Sequence, residues 1–365
     1  MWTFTSLRSH CWLTPAHPDP LGEQLISLAD CIELAEKGVT STGSVQFPPE
    51  AGIFVDFGSL YQKDPELWHP CCSGPTFKVP ELRTAAEAAA ADAYEASRVG
   101  KYKEAFGIAL SSMQIWYAHT KLYAFLTRKL PKGYETIAGY RERGWPTCES
   151  SWVALAKTDG PGLVRSIIDV GATWENGRTK DYTRPAPLAP MAMARVVARK
   201  KFTSKKADLP MVIALNTLTI VSLFTDVDNL TFNNLDWTDD EVEQLVQILP
   251  LCKSLKSIGI CLNISDRDGV TVGVSDRGAQ ALAAAFRVRS TVPNLEELWL
   301  GMNLIEEDGS TAIAAALAQE GVLPKLKFIQ LDCRLQKFEF GRNLPATERS
   351  VIAKRIQDGL EISYI

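Results

Sequence analysis

The chain has 365 residues, 46% of them hydrophobic and 22% charged, with a net charge of −4 and a pI of about 5.7. This is the make-up of a soluble globular protein long enough for two or three domains. It supplies no global basic field, so neither nucleic acid nor a membrane surface is expected as a partner.

Residues 2–7 are β-prone and open the chain almost directly on a strand, which leaves room for a further N-terminal piece. Pro15, Pro18 and Pro20 then exclude a helix. Leu25, Ile26, Leu28, Ile32, Leu34 and Ala35 mark a helical stripe that ends near Gly38. Gly52-Ile53-Phe54-Val55-Asp56-Phe57 reads as a strand buried on both faces, as in parallel sheets. A loop rich in Pro and Cys follows over 61–80, then a helical stretch over 81–113 broken at Val99-Gly100. Residues 115–125 are aromatic and β-prone, and Tyr117 and His119 are assigned there to core packing. Helices are expected over 134–143 and 150–157, on either side of Gly144-Trp145-Pro146.

Strand alternating with helix predicts a doubly wound, mostly parallel α/β domain over residues 1–158. Ligands of such sheets bind beyond the carboxyl ends of the strands. Ser9, His10 and Asp56 fall at those ends. Residues 159–203 contain Gly160-Pro161-Gly162 and Arg184-Pro185-Ala186-Pro187, and are read as a linker with a bridging helix over 192–200. The basic cluster 195–206 reads as a solvated helix face. A second helix, capped by Thr203 or Ser204, runs to about Leu223. Its apolar run, 211–224, is shorter than the roughly 20 residues a bilayer needs.

The region 204–365 is periodic. Leu295, Leu298, Leu300 and Asn303 fit L-x-x-L-x-L-x-x-N, the unit of a leucine-rich repeat. Comparable units start at Val227, Leu255 and Leu326, so the intervals are 28, 40 and 31 residues. Helical runs over 239–248, 276–286 and 309–319 fill the gaps, and 266–275 reads as an insertion. A last helix over 347–358 and a strand over 360–364 close the chain. Repeats long enough for a full helix are of the ribonuclease-inhibitor type and predict a short α/β solenoid. The Asn position is Leu235 in the first unit and Arg334 in the fourth. Trp299, between two inward leucines, should point onto the concave face and meet a protein partner there.

The eight cysteines, Cys11, Cys31, Cys71, Cys72, Cys148, Cys252, Cys261 and Cys333, form no CxxC pair. Residues 1–11 lack the pattern of a signal peptide, so reduced thiols in a cytoplasmic protein are expected. His69-Pro70-Cys71-Cys72 lacks a second ligand pair at metal-site spacing, and no metal or cofactor is expected.

Four groups of motifs in residues 1–158 resemble the Toll/interleukin-1-receptor (TIR)-like superfamily, in particular a divergent branch found in protist proteins and often joined to leucine-rich repeats. They are Ser9-His10-Cys11-Trp12 with His17-Pro18-Asp19-Pro20; residues 53–56 with Ser59-Leu60-Tyr61-Gln62; Glu104-Ala105-Phe106 through Met113; and residues 140–149, which contain Trp145 and Glu149. The resemblance implies a module for self-association or nucleotide binding. It makes Ser9, His10, Trp12, Asp56, Gln62 and Trp145 the candidate nucleotide contacts. In members that cleave NAD, a Glu four residues after the Trp is catalytic, and Glu149 holds that place. A carboxylate there can bind a ribose diol and stabilise an oxocarbenium-like centre. The sequence departs from the pattern at Pro146, where the family has Cys, and in the alanine-rich 85–96.

Two expectations result. One is an intracellular signalling or scaffold protein that binds a protein through its repeats and forms homo-oligomers through its first domain. The alternative is an NAD glycohydrolase with Glu149 as catalytic residue and NAD as substrate. A helix-terminal role for Glu149 is the bland account of the same residue.

Overall fold

The computed structural model describes residues 3–10, 13, 19, 21–36, 51–55, 64–67, 69–72, 78, 80–119, 122–135, 137–156, 167–170, 174–175, 178–179, 184–202, 204–267, 269–288, 290–332 and 340–365. The chain is a mixed α/β protein with parallel sheets. It divides into two compact units, one of residues 1–182 with 193–219, the other of 183–192 with 220–365. The region read from sequence as a linker, 159–203, is thus shared between the two.

The first unit is built on a four-stranded parallel sheet. Its strands are β1 (Thr3–His10), β2 (Ala51–Val55), β3 (Tyr123–Thr127) and β4 (Ile167–Asp169), in the order β2-β1-β3-β4. Its helices are α1 (Glu23–Glu36), α2 (Ala85–Ala96), α3 (Gly100–Tyr117) and α4 (Gly144–Ala156). β3 is covered on both faces, since Ala124, Phe125 and Leu126 all lack solvent exposure. Phe125 packs with Leu28, Cys31, Ile32 and Val170. α1 therefore docks on Leu28 and Cys31, while Leu25 and Ile26 of the expected stripe stay exposed.

Three local expectations change. The aromatic run at 115–117 completes α3, because Tyr117 and Met113, one turn apart, are both buried. His119 is exposed just beyond it, not packed in a core. Where a helix was expected over 134–143, the described residues form turns and a short 3₁₀ segment, Tyr140–Glu142. There the Glu135 carboxylate accepts the Gly133 N–H at 2.9 Å, and the Glu142 carboxylate accepts the Gly139 N–H at 3.1 Å. Finally, β4 lies in the stretch read as linker, as do two short paired strands, β5 (Trp174–Glu175) and β6 (Arg178–Thr179).

Helices α5 (Pro190–Ala198) and α6 (Lys205–Thr225) follow. α6 is longer than the apolar run inside it. By length and composition it could cross a membrane, with a third of the stretch buried in the fold. The length argument against a span is therefore corrected. The described contacts are those of a packed helix: Val212 is buried and Asn216 bonds to Trp152.

The second unit is a five-stranded parallel sheet in chain order, β7 (Asn229–Thr231), β8 (Ser257–Gly259), β11 (Glu297–Trp299), β12 (Phe328–Leu331) and β13 (Glu361–Tyr364). Helices α7 (Asp239–Leu245), α8 (Asp276–Arg287), α9 (Glu307–Leu317) and α10 (Ala346–Gln357) join successive strands. The expected insertion is an antiparallel hairpin, β9 (Ile264–Arg267) and β10 (Val270–Gly273). Leu230, Ile258, Leu298 and Ile329 share one register row and point inward.

Within this second unit, two polar ladders tie its successive strand–helix repeats together. Asn263 and Asn303 have no exposed surface. Asn263 Nδ2 donates to the carbonyls of Phe232 (3.0 Å) and Cys261 (3.1 Å), and its Oδ1 accepts the N–H groups of Leu235 (3.0 Å) and Trp237 (3.2 Å). Asn303 Nδ2 donates to Ile260 O (2.5 Å) and Leu300 O (2.8 Å), and its Oδ1 accepts Asn263 N–H at 3.2 Å. Each asparagine thus serves the turn of the preceding unit, where no strand ladder reaches. Leu235, in the repeat at the edge of this sheet, has no preceding turn to serve, which accounts for that departure. Arg334 lies outside the described residues.

The second ladder links helix starts. Asp239 accepts from Ser275 N–H (2.7 Å) and Gly278 N–H (2.8 Å) at the start of α8. Asp276 accepts from Glu306 N–H (2.7 Å) and Gly309 N–H (2.9 Å) at the start of α9. A Cβ on Gly278 would lie 2.7 Å from Asp239 Oδ1, and one on Gly309 would lie 2.5 Å from Asp276 Oδ1. At the edge strand, Arg184 donates to Thr231 O at 3.2 Å and lies over the Phe232 ring.

Asn303→Ala should lower the stability of the second unit by about 4 kcal/mol, because three buried backbone groups lose their partner at about 1–3 kcal/mol each. Urea unfolding followed by tryptophan fluorescence measures this, and a loss under about 1 kcal/mol would mean that water replaces the carboxamide.

Candidate functional site

The strand order β2-β1-β3-β4 reverses direction between β1 and β3, which makes their carboxyl ends the topological switch point. Ser9 and His10 end β1 there, in register with Leu126 and Thr127 of β3. Trp12, Asp56 and Gln62 lie outside the described residues.

Glu149 and Trp145 sit on α4, which packs against β1. Trp145, Glu149 and Trp152 are spaced four and three residues apart and share one face of the helix. That face is turned to α6. Trp152 Nε1 donates to Asn216 Oδ1 at 3.2 Å, and the Trp145 side chain hydrogen-bonds the Asp208 carboxyl. Glu149, on the turn between the two, is only 4% exposed. Its neighbour Cys148 is fully buried, and burial, then the charge of Glu149, pushes its thiol well above the usual range.

The residues beside Trp145 are explained by the same interface. The Phe202 ring lies where a Gly144 Cβ would be, with ring atoms 1.8, 2.1 and 2.3 Å from that position. Gly144 N–H donates to Lys201 O at 2.9 Å, and Lys201 N–H to Glu142 O at 2.8 Å. Lys200 Nζ reaches Arg141 O at 2.6 Å, and Lys205 Nζ reaches Ala198 O at 2.7 Å. The basic cluster is therefore partly engaged with backbone carbonyls and is more than a solvated face.

Among the other expected residues, His69 Nδ1 accepts the Cys71 N–H at 3.2 Å. Cys31, Cys71, Cys148, Cys252 and Cys261 are buried.

The second candidate surface is the face of the second sheet opposite its inward leucines. Two register rows form it. One is Asn229, Ser257, Glu297, Phe328, Glu361; the next is Thr231, Gly259, Trp299, Gln330, Ser363. Trp299 is half-buried, not freely exposed, because its ring lies 4.5 Å from Phe328, centre to centre, at 44°. Its Nε1 donates to Glu297 Oε2 at 3.1 Å, and Ser257 Oγ donates to the same oxygen at 3.2 Å. Phe328, Glu297 and Ser257 were not singled out from sequence, although each holds a position between inward residues, which was the available signal. Below these rows, Lys327 pairs with Glu296 at 2.7 Å and holds that carboxyl below the usual range.

No protein-family model matches the chain, and neither does any curated protein.

Two outcomes follow for the α4–α6 interface. Burial raises the Asp208 carboxyl above its ordinary value, with the bonds from Trp145 and the Ser204 backbone working against that rise. The folded state therefore binds the proton more tightly than the unfolded chain. Its contribution to stability is present below the ordinary aspartate range, about pH 4, and is lost as pH rises through the raised value. In Asp208→Asn this fall should vanish from a plot of denaturation midpoint against pH; an unchanged slope would assign it to other groups. Gly144→Ala should cost about 1–3 kcal/mol by overpacking against Phe202, read by thermal unfolding.

Proposed function

We propose that this is an intracellular scaffold or signalling protein whose second unit is a ribonuclease-inhibitor-type leucine-rich-repeat solenoid. Its outward sheet face, concave in such solenoids, binds a protein partner. The observation that carries this reading is the half-buried Trp299–Phe328 pair, set on a face of polar side chains above a buried asparagine ladder. Aromatic residues of this kind anchor interfaces, since they bring large area at low conformational cost. The first unit is read as a TIR-like module for self-association or nucleotide binding. Its sheet order and the place of Ser9 and His10 at the switch point support that reading. The buried thiols support a reducing, cytoplasmic setting.

NAD cleavage by Glu149 is the second reading. It is favoured by the packing of α4 against β1, whose carboxyl end carries Ser9 and His10. The burial of Glu149 weighs against it, because a nucleotide would have to part α4 from its neighbours first.

Trp299→Ala should remove partner capture in a pull-down with the full chain while leaving its circular dichroism unchanged. Capture at wild-type strength would overturn the assignment of the face. On the second reading, the concentrated protein releases nicotinamide from NAD, and Glu149→Ala abolishes this in a folded chain. Absence of turnover in the concentrated wild-type protein would remove that reading.

A further inference from the structure

The outward face of the second sheet has a definite charge pattern. Phe328 stands between Glu297 on β11 and Glu361 on β13, each its direct partner in the register. Adjacent strands lie about 4.8 Å apart, so the two carboxylates flank the ring at about one strand spacing on either side. Both are exposed, and among the described residues neither forms an ion pair. Neither of the two register rows of this face contains Lys or Arg. The cations nearest in sequence, Lys256 and Lys327, belong to the row below, and Lys327 is committed to Glu296.

Glu297 is also held in place. Ser257 Oγ and Trp299 Nε1 both donate to its Oε2, which turns the carboxylate toward the aromatic pair and fixes its rotamer. The Trp299 indole N–H is satisfied by that bond, and the ring adjoins Phe328 at 4.5 Å. Next to Trp299, β8 presents Gly259, where a Cβ would lie 3.2 Å from Asn233 Oδ1. Two rings with carboxylates on both sides are the surroundings that a planar cation takes. A guanidinium can lie over the ring faces by cation–π attraction and hydrogen-bond carboxylates in its own plane. A phosphate or an acidic peptide would meet two like charges and no counter-charge.

We infer that the row Glu297–Phe328–Glu361, with Trp299 beside it, is a binding site for an arginine side chain on an exposed segment of a protein partner. The inference rests on the reading of this face as the partner surface and gives that partner a chemistry. Arginine is preferred to lysine because its planar fork can stack on the aromatic pair and reach both carboxylates, whereas an ammonium is a single point charge. The contact is charge-assisted at an exposed face, so it weakens with salt.

The test uses the full-length protein and a short acetylated, amidated peptide with one central arginine among alanines and glycines. A second peptide carries citrulline there, which keeps the shape and removes the charge. The readout is the indole N–H signal of Trp299 in a ¹⁵N spectrum, assigned by its loss in Trp299→Phe. The arginine peptide is expected to shift this signal saturably. The citrulline peptide should bind at least tenfold more weakly. Glu361→Gln and Glu297→Gln should each weaken arginine binding about tenfold, while Asp308→Gln, on the exposed start of α9, should leave it unchanged. Glu297→Gln keeps an oxygen that accepts from Trp299 and Ser257, so the aromatic pair stays in place. Equal shifts with arginine and citrulline, or full affinity in the Glu297→Gln/Glu361→Gln double variant, would overturn the inference. If that double variant still captures the protein partner while Trp299→Ala does not, the interaction surface stands and the arginine assignment falls. Loss of neither would overturn both.

Discussion

The second unit depends on two buried carboxamides. Strands of three or four residues make few ladder bonds, and the turns that end them bury backbone groups out of reach of any neighbouring strand. Asn263 and Asn303 answer those groups with both ends of the side chain. Because each asparagine bonds backward, a unit is completed only when its successor is in place. The aspartates at the helix starts repeat this logic on the other side of the sheet. Asp239 and Asp276 each cap the next helix, at glycines whose lack of a Cβ lets the carboxylate approach. Arg355 does similar work further along, bonding the carbonyls of Leu317, Val322 and Leu323. On the outward face Asn233 Oδ1 accepts the Cys261 N–H at 2.7 Å, while most of the turn bonding comes from inside. That face is left to present Trp299, Phe328 and their carboxylates.

The first unit puts its most conspicuous motif to a different use. Gly144, Trp145 and Trp152 hold α4 against α6 and the segment before it: Gly144 under the Phe202 ring, and the two tryptophans bonded to Asp208 and Asn216. Glu149 lies on that same helical face and is buried. Four-residue spacing gathers the side chains onto one face but leaves open whether the face meets solvent or another helix. Here it meets a helix more than fifty positions further along the chain.

Where local pattern failed, a long-range contact had taken over. The residues Ile115, Trp116 and Tyr117 are β-prone, yet they end a helix because Tyr117 fits a buried site against Trp152 at 6.3 Å. β4 sits in a stretch punctuated by breakers, and its three residues gain their strand only by pairing with β3. Arg184, among prolines, covers the edge of a sheet whose strands are far from it in sequence. The acidic helix starts carried a weak signal, Asp-x-Gly at Asp276 and Glu-x-Gly at Glu307, but its meaning depends on which helix lies alongside. The asparagines could be read, because each holds the same place after the alternating Leu and Ile of its own strand.

What the sequence determined by itself is periodic. The spacing of Leu and Ile with Asn263 and Asn303, the helical runs between them and the insertion that became β9 and β10 are local patterns, and burial of one face of a short strand or helix is enough to enforce them. The outward place of Trp299 belongs here as well, since alternation along a strand leaves it no other side. Tertiary structure alone decided what each polar or aromatic side chain faces. It put Phe328 against Trp299 and turned Glu297 toward both, and it set the face of α4 that carries Glu149 against α6. The reason is physical: periodicity chooses the side of an element, but the chemistry of a side chain is set by the partner across the gap, and that partner is brought there by the rest of the chain.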